Sequence, residues 1–443
     1  MTDPSPARLG YHDAVAALTE RGRFGISLGL ERVSRLMAEL GHPDRRLRGA
    51  LVGGTNGKGS VVAMTRSVLG AAGLRVGTMP KPHLVSYRER ISIDGEPIGP
   101  DEFAAAVARV LPVIDRVAAE VGPPTEFEAL TAAAITELAR RDVDVAVVEV
   151  GLGGRLDATN VLDLGVAAIT NVQLDHQRHL GSTLTAIGTE KAAIIKPGNF
   201  AVTGARGRGL RPIRDRCTDV RAPLRRSGPR QPYRTRLLES GWDGIVVDAR
   251  TPRGWLRGLR VGLLGAHQAD NAAVTLALLD ALGERWGIAV DEAAIRAGMA
   301  AARWPGRLEL LDGARLGLRR VLLDGAHNPD GARALARALA DLGLRRPTIV
   351  FGAMRGKDVR GALRELAALD PGFVFTRVAD PGAHEPADLL AAWLAVGGRH
   401  GRVTPTPRAA LETGADADPL VVAGSLYLVG AVRGMITGTD EEG

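Results

Sequence analysis

Leu51-Val52-Gly53-Gly54-Thr55-Asn56-Gly57-Lys58-Gly59-Ser60 runs straight into Val61-Val62-Ala63-Met64-Thr65-Arg66-Ser67-Val68-Leu69. An apolar strand, a glycine turn and the first turn of a helix follow one another without a spacer. Such a turn offers backbone N–H groups and a helix N-terminus to a phosphate, and Lys58 adds a compact cation. It departs from the standard P-loop because Gly59 follows the lysine where Ser or Thr is usual, while Ser60, one place later, remains available to a magnesium ion. The stretch implies a bound nucleoside triphosphate.

Outward from this loop, apolar segments of strand length alternate with segments of helical period, which argues for parallel sheets covered by helices. Helices are expected at His12–Glu20 and Leu30–Leu40, then a strand near Leu47–Val52 leading into the loop. A strand at Arg75–Thr78, helices at Asp101–Val121 and Glu126–Arg140, and a strand at Val143–Val150 come next. The last is apolar on both faces except at Asp144 and its C-terminal end, much as a central parallel strand should be. Strand Val166–Thr170, helix Leu184–Ile195 and helices Asn271–Leu282 and Glu292–Ala302 complete this half. Between Asn199 and Leu259 the periodicity fades into Arg, Gly and Pro and assigns no elements. Trp304-Pro305-Gly306 breaks the pattern, and beyond it alternation restarts with strands at Val321–Leu323, Thr348–Phe351, Phe373–Thr376 and Leu420–Val422. The intervening helices make this a small doubly wound unit. The expected division is 1–302 and 303–443.

The 443 residues hold 57 Lys plus Arg, 50 Asp plus Glu and a single cysteine, Cys217. One cysteine excludes an internal disulfide and fits a reducing cytoplasm. No apolar run reaches membrane-spanning length, and Met1–Asp13 has no apolar core of a signal peptide. Eleven of the arginines fall in Ala201–Arg236, where only Tyr233 interleaves with them, a poor pattern for a nucleic-acid groove. A solvated connecting segment is the expectation there.

Only five of the 57 bases are lysine, at positions 58, 81, 191, 196 and 357. Lysine offers an amine that can lose its proton and react, which arginine does not. On the helix expected at Leu184–Ile195, positions 184, 187, 191, 194 and 195 share a face, and four are Leu or Ile. Lys191 either snorkels from that stripe or pairs with a carboxylate, or it is buried, with its pKa pushed toward the neutral amine. A neutral amine can add CO2 to become a carbamate, a carboxylate-like metal ligand. Glu149 ends a buried strand ahead of Gly151-Leu152-Gly153-Gly154-Arg155, placed either to hold magnesium or to pair with Arg155. His176 follows the next strand and is a candidate ligand for a second metal ion, or a surface histidine.

Taken in order, these segments resemble the folylpolyglutamate synthase/dihydrofolate synthase family of the ATP-dependent Mur ligases. The resemblance extends through Pro82-His83-Leu84, Glu89-Arg90-Ile91, Phe127-Glu128-Ala129-Leu130-Thr131, Glu149 to Asn160, Leu174-Asp175-His176 and Glu190-Lys191-Ala192. It continues in Gly265-Ala266-His267-Gln268, Trp304-Pro305-Gly306-Arg307, Asp324-Gly325-Ala326-His327-Asn328-Pro329 and Gly424-Ser425-Leu426-Tyr427. It implies an α/β protein: a P-loop-type ATPase domain with a mainly parallel sheet flanked by helices, and a smaller Rossmann-like C-terminal domain. It further implies a monomer that uses ATP, a pair of Mg2+ ions and CO2 as a carbamate on Lys191. The reaction would join L-glutamate to folate or dihydropteroate through an acyl phosphate, without nucleic acid or membrane partners. A sister ligase of specialised metabolism, acting on another carboxylate, is the alternative.

By that resemblance Thr55, Asn56, Gly57, Lys58, Gly59 and Ser60 hold phosphates and metal, with Asn271, Arg307, Asp324 and His327 on the nucleotide. Glu149, His176, Ser60 and carbamylated Lys191 hold metal, and Lys58, Lys191, His176 and Arg307 serve catalysis. Thr125, Phe127, Glu128, Leu156, Asp157 and Ala158 meet the pterin. The family has a hydroxyl directly before the Pro-His; here Pro80-Lys81 stands there. The expectation is that the Lys81 ammonium meets substrate and replaces part of the metal's charge near the phosphates or Glu149; the alternative is that it points to solvent while Ser60 and water complete the metal's shell.

Overall fold

The computed structural model of the chain describes residues 9–24 and 29–439. Expectations for the opening residues 1–8 lie outside them. Seventeen strands form three sheets. The first sheet uses β1 (Gly49–Gly53), β2 (Val76–Met79), β3 (Ser92–Ile93), β4 (Glu96–Pro97), β5 (Val145–Glu149), β6 (Gly165–Ile169), β7 (Phe200–Thr203) and β8 (Leu224–Arg226). Their order is β4-β3-β2-β5-β1-β6-β7-β8, parallel throughout except for the small β2-β3-β4 meander.

The sequence dictates this arrangement through burial on two faces. Val145 and Val147 of β5 point to one side, with the helices Lys58–Ala71, Gln268–Trp286 and Glu292–Ala301. Ala146 and Val148 point to the other, with Pro100–Val121 and Glu126–Arg140. A strand buried on both faces must be apolar along its length, which is how β1 reads and how β5 reads up to Glu149 at its end. The register pairs Val52 with Glu149, Gly53 with Ile169 and Met79 with Val148. The loops leaving β2, β5, β1 and β6 therefore emerge side by side at one carboxyl edge, where open α/β sheets bind ligands.

The segment from Asn199 to Leu259, to which periodicity assigned nothing, is ordered. It contains β7, the helix Leu210–Asp219, β8 and an antiparallel meander of β9 (Arg234–Gly241), β10 (Gly244–Thr251) and β11 (Gly254–Val261). The meander buries Val247, Ala249, Leu259 and Val261 on the sheet's helical layer and exposes an Arg-rich face. The helix expected to reach Ile195 ends at Ala192, although Ile194 and Ile195 are still buried. The helix expected at Asn271–Leu282 is longer, Gln268–Trp286.

The second part is a six-stranded sheet of β12 (Arg307–Asp312), β13 (Arg320–Asp324), β14 (Thr348–Phe351), β15 (Gly372–Phe375), β16 (Gly401–Val403) and β17 (Leu420–Ala423). Its order is β12-β13-β17-β14-β15-β16, with only β12 antiparallel and helices on both faces. The two parts interlock: Trp304 packs on the first core, Leu264 and Trp242 on the second.

The helix that carries Lys58 is held by close helix–helix contact. Gly298 lies so near the backbone of Val68 that an added Cβ would collide with the Val68 Cα. Gly298→Val should therefore lower unfolding stability by about 2–3 kcal/mol, seen as a lower urea midpoint at unchanged slope.

Candidate active site

The glycine loop is fixed from β6. Thr170 Oγ1 donates to the Asn56 carbonyl at 2.6 Å, and Asn56 N–H donates to Asn171 Oδ1 at 3.0 Å. The Asn56 amide donates to Gln173 Oε1 at 2.7 Å, and Thr55 Oγ1 accepts from Gln173 N–H at 3.0 Å. The side chains of Thr55 and Asn56 are thus spent on shaping the loop. What faces outward is backbone N–H at the start of the helix Lys58–Ala71, which has no side-chain cap. Gly57 adopts φ 82°, and a Cβ there would run into Asn271 Oδ1. Gly59 has Trp304 where its Cβ would lie, 2.6 Å from the indole nitrogen. Buried Ser60 keeps its hydroxyl without a hydrogen bond to any described residue.

Two lysines converge on one oxygen. Lys58 Nζ donates to the carbonyls of Gly54 and Thr55 at 3.2 and 3.1 Å, and Lys191 Nζ donates to the same Gly54 carbonyl at 3.0 Å. Lys191 is 4% exposed, so it does not snorkel. Burial, then the Lys58 charge, lowers its pKa to about 7. Burial also lowers Lys58, against the pull of Glu149. Glu149 is 5% exposed; burial raises its pKa, and the Lys58 ammonium opposes the rise. Its Oε2 accepts the backbone N–H of Lys81 at 3.3 Å. Arg155 pairs with Glu190 instead, at 2.9 Å, which leaves Glu149 to the site.

Lys81 lies with Nζ 3.3 Å from the centre of the Phe127 ring, and burial lowers its pKa to about 8. Thr125 and Glu128 form the capping box of the helix Glu126–Arg140, and Glu128 Oε2 also accepts from Arg32 at 2.9 Å. Asp157 caps the short turn Ala158–Val161: its Oδ1 accepts from the Thr159 N–H at 3.0 Å, its Oδ2 from the Leu152 N–H at 2.8 Å. Thr125, Glu128 and Asp157 hold backbone in place, and Phe127 lies under the Lys81 ammonium.

The second part supplies the far wall. Asp324 accepts N–H bonds from Leu308 and Ala326 at 3.0 and 2.9 Å, and burial raises its pKa. His327 Nδ1 is 2.8 Å from the Gly325 carbonyl, and burial pushes its pKa down to about 4. The Arg307 guanidinium lies close enough to influence Lys58, Glu149 and Asp324, yet makes no hydrogen bond to a described residue. Asn271, on the first part, donates to Gln268 Oε1 at 2.8 Å.

His176, half-exposed in a left-handed conformation, belongs to an inter-part cluster. Asp175 accepts from Asn328 Nδ2 at 3.0 Å and pairs with Lys357 at 3.5 Å; the Lys357 Nζ is also 3.5 Å from His176 Nε2. Burial and then Lys357 lower the His176 pKa, which favours the neutral ring. The sequence reading missed Asp175, Asn328 and Lys357 as a bridge; the signal available was the rarity of lysine.

Among the described residues no three His, Cys, Asp or Glu side chains gather as a metal site. The free Glu149 Oε1 and the unengaged Ser60 hydroxyl are hard oxygen donors flanking the phosphate loop. That donor set fits magnesium, which takes few protein ligands and completes its shell with water and phosphate oxygens.

Comparison with known proteins identifies two family models in the chain: the Mur ligase middle domain over residues 52–279 and the Mur ligase glutamate ligase domain over 306–426. The dihydrofolate synthase/folylpolyglutamate synthase of Bacillus subtilis is 35% identical over 390 residues, 86% of this chain and 88% of that protein. The Mycobacterium tuberculosis folylpolyglutamate synthase complexed with ADP and AMPPCP superposes with TM-score 0.85 at 33% identity, covering 96% of this chain and 99% of that one. The Escherichia coli FolC in complex with DHPP and ADP gives 0.85 at 30%, covering 99% and 100%.

The inter-part cluster has a checkable electrostatic consequence. Lys357→Ala removes a positive charge that lowers both His176 and His327. Both should titrate at higher pH by NMR, while His83, lowered by burial and Arg90, stays where it is.

Proposed function

The chain belongs to the Mur ligases, in their folylpolyglutamate synthase/dihydrofolate synthase family, and on that footing we propose that it joins L-glutamate to a pterin or folate carboxylate, converting ATP to ADP and phosphate. The observation that carries this reading is the convergence of Lys58, Lys191, Glu149 and Arg307 around the open phosphate loop. No carboxylate lies within salt-bridge distance of any of the three cations among the described residues. A cation-rich, largely buried cradle calls for a polyanion, and a triphosphate supplies one.

Lys58 and the backbone N–H groups of Gly57 to Ser60 bind and orient the phosphates. Arg307, from the second part, carries the charge that spreads over the terminal group as it transfers. The acceptor carboxylate bonds to the terminal phosphorus while the bond to ADP breaks; the glutamate amine then attacks the carbonyl carbon and phosphate leaves. Trp304, Leu264 and the Asp175–Asn328 contact bring the two parts together, which keeps water from the reactive acyl group. Glu149 and Ser60 would hold magnesium, whose contribution is to neutralise phosphate charge. A second ion at His176 and a Lys191 carbamate requires Lys357 to move off the imidazole. Asp324, His327 and Asn271 are proposed nucleotide contacts, Phe127, Leu156 and Ala158 pterin contacts. Thr125, Glu128 and Asp157 position those contacts.

The division of labour is proposed at 302/303. Both walls of the site come from one chain, which supports action as a monomer, and a lone buried cysteine suits the cytoplasm. No helix among the described residues is long and apolar enough to cross a membrane.

ADP release should require both glutamate and an acceptor, dihydropteroate or a tetrahydrofolate; release that ignores the acceptor contradicts the reading. For Lys191, a sample in 13C-bicarbonate should give one protein carbamate resonance that is absent in Lys191→Ala. Only the neutral amine adds CO2, so the resonance should fade as pH falls through about 7, where Lys191 becomes protonated.

A further inference from the structure

Two cations on neighbouring segments carry donors that the protein leaves unused. Lys81 Nζ sits over the Phe127 ring, and its three N–H groups make no hydrogen bond to a described residue; the residue's one polar contact is its backbone N–H to Glu149. Arg90 is 7% exposed; its Nε donates to His83 Nδ1 at 3.0 Å, while its Nη1 is buried without a partner. Lys81 feels Arg90 as a repelling charge, with Asp157 and Glu149 attracting it from beyond hydrogen-bond range.

The neighbouring acids are otherwise engaged. Asp157 takes two backbone N–H groups and the Thr159 hydroxyl, and Glu126 accepts from Tyr87 at 2.7 Å. Glu128 Oε2 is bound in its cap and by Arg32, while its buried Oε1 has no hydrogen-bond partner and does not reach Lys81. Space for the ammonium is made by Gly151, since a Cβ there would collide with Lys81 Nζ. Lys81 is partly exposed, so a ligand can reach it, and a charged donor held off water on one side is costly unless an anion completes it.

Granted the ligase reading, we propose that Lys81 Nζ, with the Arg90 charge behind it, seats the reacting carboxylate of the acceptor. Lys81 stands at the junction of the two substrates: Glu149 and Lys58 lie on its triphosphate side, Phe127 and Asp157 on its acceptor side. A fixed positive charge there relieves the repulsion between carboxylate and terminal phosphate before one carboxylate oxygen bonds to phosphorus and ADP departs with the electron pair. No proton moves in that step.

The test compares binding of pteroic acid and of its carboxamide, by calorimetry with ADP present, to the wild type, Lys81→Met and Lys81→Gln. Both side chains are one atom shorter than lysine and remove no side-chain hydrogen bond, and unchanged ADP affinity reports that the fold is intact. The wild type should prefer the acid by roughly 10- to 100-fold, and each variant should lose about fivefold or more of that preference, with ADP affinity within about twofold. A purely structural role for Lys81 would weaken acid and amide alike. An acid preference that survives in both variants overturns the proposal and leaves the ligase reading intact. Failure of the wild type to bind or turn over any pterin acid overturns both.

Discussion

Two ammonium groups share one carbonyl oxygen at the base of the site, and the rest of the arrangement answers to that. Lys58 and Lys191 both donate to Gly54, which holds their nitrogens no further apart than about 6 Å. At an effective dielectric near 20 their repulsion is about 3 kcal/mol. The fold tolerates it in two ways. Burial drives Lys191 toward the neutral amine, and Glu149 offers a carboxylate across the loop. A carbamate on Lys191 would go further and turn the repulsion into attraction. Leaving the cluster short of negative charge makes it a receptor for a triphosphate.

The geometry behind this follows from strand register. Four adjacent parallel strands, β2, β5, β1 and β6, end level with one another, so Lys81, Glu149, Gly54 and the Asn171–Gln173 segment meet although they are far apart in sequence. The second part closes the site through Arg307, Asp324 and the Asp175–Asn328 bond. Lys357 guards His176 from the same side, so charge on one part tunes a ring on the other.

Much of this was legible in the sequence, for reasons that are local. The glycine loop, the doubly buried β5 and the lysine on an apolar stripe are patterns that neighbours in sequence determine. Lys191 is buried, one of the readings its helical spacing allowed, but its partner lies 137 residues away, and no periodicity could name it. Thr125, Glu128, Thr55 and Asn56 were expected at ligands; the structure shows in addition that their side chains hold backbone in place, which depends on tertiary hydrogen bonds that no local pattern encodes. The meander of β9 to β11 escaped because its outer face is Arg-rich and its inner face small, so alternation is weak. Lys81 was visible as an odd residue, while its place over Phe127 and its empty donors needed coordinates.

The central claim is that the unneutralised cations align an acid with the terminal phosphoryl group. Turnover with an acceptor whose carboxylate carries 18O, followed by mass analysis of the released phosphate, tests it most directly. The account predicts one 18O atom transferred to each phosphate; phosphate that leaves unlabelled during amide formation would contradict it.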